Sequence, residues 1–314
     1  MREEERIAKV AHMYYRQDMD LREIGKIFNV SYATISRLLK KGRETGIIKV
    51  FINNPSDKLH DLELKIKNTF NIKEIFSVDV QETDSKELIK NVVAIQAAEY
   101  LENVLKDGDI LGISWGSTIY SVVNNFNIKK RINVDIVQLN GNFVTIPIEF
   151  NSSDLIRRMK NMFMGSYYFI NSDTIVDSKE IKEILMNSSS IKKTFLLHKS
   201  INIALLGIGY FNDKSISNLY KDYLRDSEIK ELESFNVVGE SHHIFYDIKG
   251  KIFDSKIKER AISISKEDLF NIDNKIVVAT GLDKTFAIIG AMRAKLIDTL
   301  FVDSLTIENI SKKI

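Results

Sequence analysis

The chain has 314 residues, a length that suggests about two domains with buried cores. It contains no cysteine, which excludes disulfides, thiolate metal sites and a cysteine nucleophile. Its net charge of +2 is unevenly spread, because residues 1–54 carry +4 and the rest carry −2. This distribution favours a nucleic-acid-binding head joined to a near-neutral body.

The first residues, MREEERIAKVAHMYY, are charged and amphipathic, unlike a signal peptide. No apolar run approaches the roughly 20 residues that span a bilayer. The sequence therefore predicts a cytoplasmic protein with no membrane partner. A first helix is predicted over residues 3–16, with Ile7, Val10, Ala11 and Tyr14 on its buried face.

The stretch from Asp20 to Lys41 has the pattern of two short helices joined by a tight turn. The apolar positions of the first helix are Leu21, Ile24, Ile27 and Phe28. Ser31 can cap the second helix, because its side-chain oxygen can accept a hydrogen bond from a backbone N–H near Thr34. Gly25 allows the two helices to approach closely. These features predict a helix-turn-helix.

The second helix of this motif buries Ile35, Leu38 and Leu39 and exposes a polar, basic face. The N-terminal part of such a helix meets base edges in the major groove. The candidates for base contacts are Tyr32, Ala33, Ser36 and Arg37, with Arg37 the best candidate for guanine. The candidates for phosphate contacts are Ser31, Thr34, Lys40, Lys41 and Arg43. The expected partner is double-stranded operator DNA, and the alternative is a helical hairpin whose charges only face solvent.

The end of this head is predicted from turn-forming residues. Gly46 can end the second helix, and residues 48–52 alternate as in a short strand. The run Asn-Asn-Pro-Ser at 53–56 marks a boundary. We therefore predict a helix-turn-helix domain over residues 1–54 and a second domain over residues 55–314. The second domain opens with an amphipathic helix from Asp57 to Phe70, which is either a linker or a dimerisation element.

From residue 74 onward, short β-rich runs alternate with longer helical runs. Strands are predicted at Glu74–Val80, Ile110–Ser114, Val134–Leu139, Ile201–Leu206, Asn236–Gly239, Lys275–Ala279 and Thr299–Val302. Helices are predicted at Ser85–Leu105, Thr118–Phe126, Ser152–Met162, Ser178–Asn187, Ser190–His198, Asp222–Phe235, Lys266–Ile272, Lys284–Ala294 and Leu305–Lys312. The alternation predicts an α/β domain, with a mostly parallel sheet covered on both faces.

Three predicted strand ends combine glycine with polar side chains. Gly116, Ser117 and Thr118 begin a helix, where free backbone N–H groups suit a phosphate, although a plain Ser-capped turn is the alternative. Asn140 could bond a sugar hydroxyl or be a turn residue. Lys284 follows another strand end, where a cation would meet a bound anion. Because ligands of open α/β sheets lie beyond the carboxyl ends of strands, the three strand ends together favour a ligand site there.

Two further loops could complete the pocket. Residues 205–210, LLGIGY, are a candidate fourth wall. Glu240 or Asp247 could bond sugar hydroxyls. The adjacent His242 and His243 point in different directions and lack suitably spaced carboxylates, so no metal site is expected.

Residues 112–116, GISWG, match the G-x-S-x-G nucleophile elbow of serine hydrolases. Ser114 would then be the nucleophile, with His198, His242 or His243 as its base. No HGGG-type oxyanion loop accompanies the match, so a hydrolase is disfavoured.

Three segments acquire a further meaning when they are taken together: TISRLLKKGRETGII at 34–48, KDGDILGISWGST at 106–118 and VVATGLDKTFAIIGAMRAKLIDTLFVDSLT at 277–306. With their spacing, they resemble the SorC family of bacterial transcription regulators over nearly the whole chain. The extended segment KDGDILGISWGSTIY and the run VQLNGN look most like the deoxyribonucleoside-regulator branch.

The resemblance implies a Rossmann-like effector domain similar to sugar-phosphate isomerases and glucosamine-phosphate deaminases, without catalysis or a cofactor. It implies phosphorylated sugars as effectors, and homodimers or homotetramers on operator DNA. Carried over by motif, the phosphate side comprises Gly116, Ser117, Thr118, Gly281 and Lys284. The sugar side comprises Asn140, Glu240 and Asp247, and Gly141 is a further effector-binding residue. The family often has a basic residue at position 140, whereas Asn140 can neither form an imine nor offer a charge.

The sequence therefore predicts a DNA-binding transcription regulator that is controlled by a phosphorylated sugar or a related metabolite. The alternative is a sugar-phosphate isomerase or deaminase-like enzyme with an appended DNA-binding domain, in which Glu240 or Asp247 would supply acid/base chemistry. A purely architectural DNA binder would leave the glycine-rich strand ends unexplained.

Overall fold

The computed structural model describes residues 2–45, 47–48, 57–128, 132–211, 220 and 222–314. Contacts between Cα atoms divide the chain into two units, Met1–Asn54 and Pro55–Ile314. Gly46, most of the predicted strand at 48–52 and the turn-forming run at 53–56 lie outside the described residues. None of the helices in the described ranges has the length and apolar character needed to cross a bilayer.

The first unit contains the helices α1 (Glu3–Arg16), α2 (Leu21–Phe28) and α3 (Tyr32–Glu44), which confirms the predicted helices. Its buried apolar residues are Ile7, Val10, Ile24, Ile35, Leu39 and Ile48. The Asp20 carboxylate caps α2, and Ser31 Oγ accepts a hydrogen bond from Thr34 N at 3.2 Å, as predicted. Since each cap satisfies otherwise unpaired N–H groups, these two residues fix where the helices begin.

The turn between α2 and α3 is tight because Gly25 lies against it. Val30 N donates to Gly25 O at 2.9 Å, and a Cβ on Gly25 would lie 2.8 Å from Val30 O. The predicted close approach at this glycine is confirmed. Two side chains were placed wrongly, since Ile27 is 56% exposed and Tyr14 is 37% exposed. The eight-residue helix α2 buries only Ile24 and Gly25, so Ile27 lies outside the buried face of this helix.

The second unit alternates strands with helices. Its strands are β1 (Glu74–Val78), β2 (Ile110–Ile113), β3 (Asp135–Gln138), β4 (Tyr167–Tyr168), β5 (Ile203–Leu206), β6 (Gly209–Tyr210), β7 (Gly239–Ser241), β8 (Ile244–Tyr246), β9 (Ile252–Phe253), β10 (Asn274–Val278) and β11 (Thr299–Asp303). Its helices are α4 (Asp57–Phe70), α5 (Lys86–Val104), α6 (Ser117–Asn125), α7 (Ser152–Met159), α8 (Lys179–Asn187), α9 (Ser189–His198), α10 (Asp226–Ser234), α11 (Lys266–Phe270), α12 (Thr285–Arg293) and α13 (Ser304–Ser311).

A seven-stranded parallel sheet forms the centre of this unit, in the order β1-β11-β10-β5-β2-β3-β4. Successive residues of one strand enter different cores, because side chains of a strand alternate between its two faces. Leu300 and Val302 belong to one buried cluster, and Phe301 between them belongs to another. The predicted mostly parallel sheet, covered on both faces, is confirmed.

The direction of chain winding reverses between β2 and β5. From β2 the chain proceeds through β3 to β4 in one direction, and from β5 it proceeds through β10 to β11 in the other. β2 and β5 are direct neighbours, with Gly112 paired to Ala204. The loops after these two strands therefore diverge and leave a crevice at their carboxyl ends.

A second, four-stranded antiparallel sheet, β6-β7-β8-β9, was not predicted. The predicted strand at 236–239 overlaps it only at Gly239, and α10 begins at Asp226 instead of residue 222. Strands of two or three residues are too short to show a period of two. The turn between β7 and β8 consists of His242 and His243, with φ values of +54° and +63°. It therefore lacks the Asn-Gly sequence that announces most hairpins of this kind.

Candidate functional site

A cavity of about 320 Å³ lies at the reversal point, beyond the carboxyl ends of β2 and β5. Residues 114–119, which follow β2, form one wall, and residues 207–211, which follow β5, form another. This bears out the candidate wall at 205–210 in part. The remaining lining residues are Tyr220, Glu240, His242 and Lys284. Its volume is at the lower end of the range of about 300–1,000 Å³ that is typical of small-molecule sites.

The wall after β2 presents the beginning of helix α6 to the cavity. Gly116 precedes the helix with φ +115°, and among the described residues no side chain at this N-cap position bonds the first turn. A Cβ on Gly116 would meet no atom of the described residues within 4 Å, so none of them fills the space above its backbone. The N–H groups of Ser117 and Thr118 and the positive end of the helix dipole therefore suit an anion.

Lys284 brings a cation to the same cavity from the loop after β10. Its side chain is half-buried, and burial lowers the pKa of its ammonium group. Within the described ranges its Nζ has no ion-pair partner within 4.0 Å, although the charges of Asp283 and Glu240 attract it from farther away. Binding of an anion beside this half-buried ammonium group would be favourable, because it would give the charge a direct partner.

Glu240 on β7 provides a carboxyl group that is 3% exposed. Burial raises its pKa to about 7, against the opposing effects of hydrogen bonds from His243 N and the Tyr220 hydroxyl and of the charge on Lys284. A Cβ on Gly209 would overlap this carboxylate, so the glycine in β6 makes room for it. The cavity therefore combines a cationic side with a strong hydrogen-bond acceptor.

The raised pKa of Glu240 has a consequence for stability. In the unfolded chain this group has a pKa near 4.5, so between about pH 4.5 and pH 7 the folded protein holds a proton that the unfolded chain has lost. Stability conferred by this group therefore falls as the pH rises through that window. Glu240→Gln cannot ionise, so it should be more stable than the wild type by about 2–3 kcal/mol near pH 8 and equally stable near pH 4. Urea denaturation at both pH values measures the difference, and an equal gain at both would contradict this origin.

Four predicted site residues do not line the cavity. Asn140 is fully buried, and its Nδ2 donates to Gly141 O at 2.7 Å and to Thr174 Oγ1 at 3.3 Å. Gly141 packs against another loop, because a Cβ there would lie 2.5 Å from Asp173 O. The structure therefore brings Gly116, Ser117, Thr118, Glu240 and Lys284 together and leaves Asn140 and Gly141 behind the wall.

The other two residues stabilise turns. Asp247 accepts hydrogen bonds from the backbone N–H groups of Lys249 and Lys251, both at 2.9 Å, and so fixes the turn between β8 and β9. Gly281 N donates to Asp303 Oδ2 at 2.9 Å, which joins the loop after β10 to the start of α13. Neither contact leads into the cavity.

The histidines proposed as partners of Ser114 bond other groups. His198 Nε2 lies 2.8 Å from Gln138 O, His242 Nδ1 lies 3.0 Å from Ser241 Oγ, and both ring nitrogens of His243 have partners. None of the hydrogen bonds between described residues joins Ser114 Oγ to a histidine. Likewise, within the part of the chain that the structure describes, no cluster of three or more His, Asp or Glu side chains is arranged to hold a metal ion.

Sequence reasoning missed Tyr210 and Tyr220 as wall residues of the cavity, and it considered His242 only as a metal ligand or a catalytic base. Tyr210 lies on β6 and His242 at the end of β7, so their positions depend on the antiparallel sheet that the sequence did not reveal. Tyr220 carries no local signal, since it enters the wall through packing against Phe143 and Phe211.

A second candidate surface lies on α3 in the first unit. Seven of the nine predicted DNA-contacting residues are exposed, namely Ser31, Tyr32, Ser36, Arg37, Lys40, Lys41 and Arg43. Ala33 and Thr34 are half-buried. The exposed side therefore carries the cations, and the opposite side carries Ile35 and Leu39, which are buried.

The cations of α3 differ in their freedom. Lys41 Nζ lies 2.7 Å from Glu3 Oε2, and an Arg43 N–H donates to the Tyr15 hydroxyl at 3.1 Å, so both are tied to α1. The guanidinium of Arg37 has neither an ion pair nor a hydrogen bond to any described residue. It is therefore the cation of this face that is most available to another molecule.

Comparison with known proteins agrees with this architecture. The family model of a sugar-binding domain, Sugar-bind, matches residues 54–311. The chain is 28% identical to the deoxyribonucleoside regulator of Bacillus subtilis, over 95% of this chain and 94% of that protein. It is 27% identical to the sorbitol operon regulator of Klebsiella pneumoniae, over 98% of this chain and 97% of that protein.

Solved structures give the same picture. The full-length sorbitol operon regulator SorC from Klebsiella pneumoniae superposes with a TM-score of 0.79 at 27% identity, over 97% of both chains. A transcriptional regulator from Streptococcus pneumoniae gives a TM-score of 0.76 at 28% identity, over 82% of this chain and 97% of that one. The chain therefore belongs to the SorC family of transcription regulators, which carry this sugar-binding domain.

Proposed function

We propose that this protein binds operator DNA through the first unit and that a phosphorylated sugar in the β2–β5 cavity controls this binding. The observation that carries the proposal is that one cavity pairs the helix start at Gly116 with the ammonium of Lys284, and that neither has a capping side chain or an ion-pair partner among the described residues. Two positive groups of different kinds converge where a phosphate would fit. Glu240 then remains to accept hydrogen bonds from sugar hydroxyls.

The first unit supports the DNA-binding half of the proposal. Its helices α2 and α3 meet at a tight turn, and the exposed face of α3 is polar and basic, which together match a helix-turn-helix. Arg37 would read a base edge, and Lys40 would contact a phosphate. Since such readers bind paired half-sites about 34–36 Å apart, we expect a homodimer or homotetramer.

Thermal melting with phosphorylated sugars tests the effector half. A ligand that binds only the folded state stabilises it by about 2.7 kcal/mol at 100 times its Kd, which raises the melting temperature by several degrees. We expect such a rise with at least one phosphorylated sugar and not with the same sugar lacking its phosphate. Unchanged melting across hexose, pentose and alditol phosphates would contradict a sugar-phosphate effector.

The alternative is that the cavity catalyses sugar-phosphate isomerisation or deamination. Glu240 favours this alternative, because a carboxyl with a pKa near 7 is suited to proton transfer. The relatives that match nearly the whole chain are named as regulators, so we propose binding without turnover. Conversion of any sugar phosphate that raises the melting temperature would support the enzyme instead.

A further inference from the structure

A chain of hydrogen bonds begins behind the cavity wall and reaches Glu240 through Tyr220, which lines the cavity. Asn140 Nδ2 lies 3.3 Å from Thr174 Oγ1, which lies 2.8 Å from His243 Nε2. His243 Nδ1 lies 3.1 Å from the hydroxyl of Tyr220, and the interaction of this hydroxyl with Glu240 lowers the pKa of the carboxyl group. Apart from Asn140, none of these residues behind Glu240 was a predicted contact of the effector.

The donors of this chain can be assigned from both ends. Asn140 Nδ2 can only donate, to Gly141 O and to Thr174 Oγ1, so the threonine proton stays available for His243 Nε2. At the other end an ionised Glu240 can only accept, so Tyr220 donates to it and accepts from His243 Nδ1. The end at Glu240 therefore requires a proton on Nδ1 of His243, and the end at Asn140 is compatible with it.

His243 is able to fill this role because it is neutral. Burial lowers its pKa to about 3, so near pH 7 the ring carries one proton and has one donor and one acceptor. The ring is held by its contacts with Thr174 and Tyr220, and the backbone of His243 has φ +63°, a conformation that non-glycine residues adopt rarely. His243 N also donates to Glu240 Oε2 at 3.2 Å, so this one residue bonds the carboxylate directly and through Tyr220.

We propose that Thr174, His243 and Tyr220 are positioning residues that hold the Glu240 carboxylate as a hydrogen-bond acceptor in the cavity, so that the site selects an effector with a hydroxyl donor over a simple anion. This inference rests on the proposed function for the identity of the ligand, but not for the hydrogen-bond chain. Asn140 acts through this chain from behind the wall, and it does not touch the effector.

The hydrogen-bond chain is tested without any ligand. Long-range ¹H–¹⁵N NMR of histidine rings at about pH 8.5, where Glu240 is mostly ionised, should find the His243 proton on Nδ1. Thr174→Val removes the hydroxyl that bonds Nε2 and should move part of the population to the other tautomer, whereas Thr174→Ser should keep the wild-type state. A proton on Nε2 in the wild type, or no difference between the two variants, would overturn the assignment.

Two matched tyrosine variants test the effect on Glu240. Tyr220 and Tyr246 are both buried, and both lie near Glu240, but Tyr246 Oη has no hydrogen-bond partner among the described residues. Tyr220→Phe removes a donor to the carboxylate and should raise the pKa of Glu240 by about one unit. The pKa is measured by ¹³C NMR of the carboxyl carbon. Tyr246→Phe should leave it unchanged. Equal shifts in both variants would show that Tyr220 acts only through packing.

Binding then distinguishes the hydroxyl donor from the anion. The probe is the phosphorylated sugar that most raises the melting temperature of the wild type. Tyr220→Phe should lower the affinity for this sugar by about tenfold and should leave the affinity for inorganic phosphate unchanged. An equal loss for both probes would overturn the selectivity. If no sugar phosphate bound the wild type, the proposed function and this selectivity would fail, while the NMR results would still decide the hydrogen-bond chain.

Discussion

Lys284→Met is expected to lower the affinity for a phosphorylated sugar by about 10-fold to 100-fold, because it removes a charge-assisted hydrogen bond of about 1.5–3 kcal/mol. Methionine keeps an unbranched, apolar stem in the same half-buried place. The ligand-free variant should be at least as stable as the wild type, since the ammonium has no direct ion-pair partner among the described residues. Calorimetric titration and thermal melting measure the two effects separately.

Lys86→Met is the matched control for this variant. Lys86 also carries its charge near the cavity, through an ion pair of 3.5 Å with Asp283, but its side chain is 86% exposed. Exposed ion pairs contribute little, so affinity should stay within about twofold of the wild type. An equal loss in both variants would mean that the positive field of the region matters and that Lys284 makes no direct contact.

Arg37→Ala is expected to weaken binding to a selected DNA site by about 10-fold to 100-fold and to relax its sequence preference. A bidentate contact from arginine to guanine discriminates by about 1–3 kcal/mol, and Arg37 is the exposed cation of α3 without an internal partner among the described residues. Truncation of this side chain should not disturb the fold, since no described residue bonds it. Anisotropy titrations with DNA selected from a random pool by the wild type measure the loss.

Lys40→Ala separates base reading from phosphate attraction. Lys40 is exposed and pairs only weakly with Glu44, at 3.8 Å. Its loss should weaken selected and random DNA alike and reduce the slope of log K against log salt by about one. If Arg37→Ala also weakened both DNAs alike, Arg37 would be a phosphate contact and not a base reader.

The sequence predicted the parts of the site that depend on local pattern. A strand, a glycine and a helix start follow one another within residues 110–118, and the parallel sheet places that junction beside the loop after β5. Lys284 was found in the same way, from its place after β10. The helix boundaries of the first unit were predictable because Asp20 and Ser31 are local caps.

The sequence could not separate glycines with different tasks. A Cβ on Gly116 would meet no described atom within 4 Å, whereas Gly141 is needed because a Cβ there would contact Asp173 O at 2.5 Å. Both follow a β-strand, and only the packed structure distinguishes them. The wall formed by Tyr220 and His242 was likewise out of reach, because it depends on short strands and on long-range packing.

Occupancy of the cavity should alter DNA binding, and one titration tests this coupling most directly. The Kd for selected DNA is measured by anisotropy with and without the phosphorylated sugar that raises the melting temperature, in the wild type and in Lys284→Met. We expect the sugar phosphate to change the Kd of the wild type by about tenfold, a typical coupling between two sites, and to leave that of the variant unchanged. An equal change in both proteins, or no change in the wild type, would contradict control of DNA binding through this cavity.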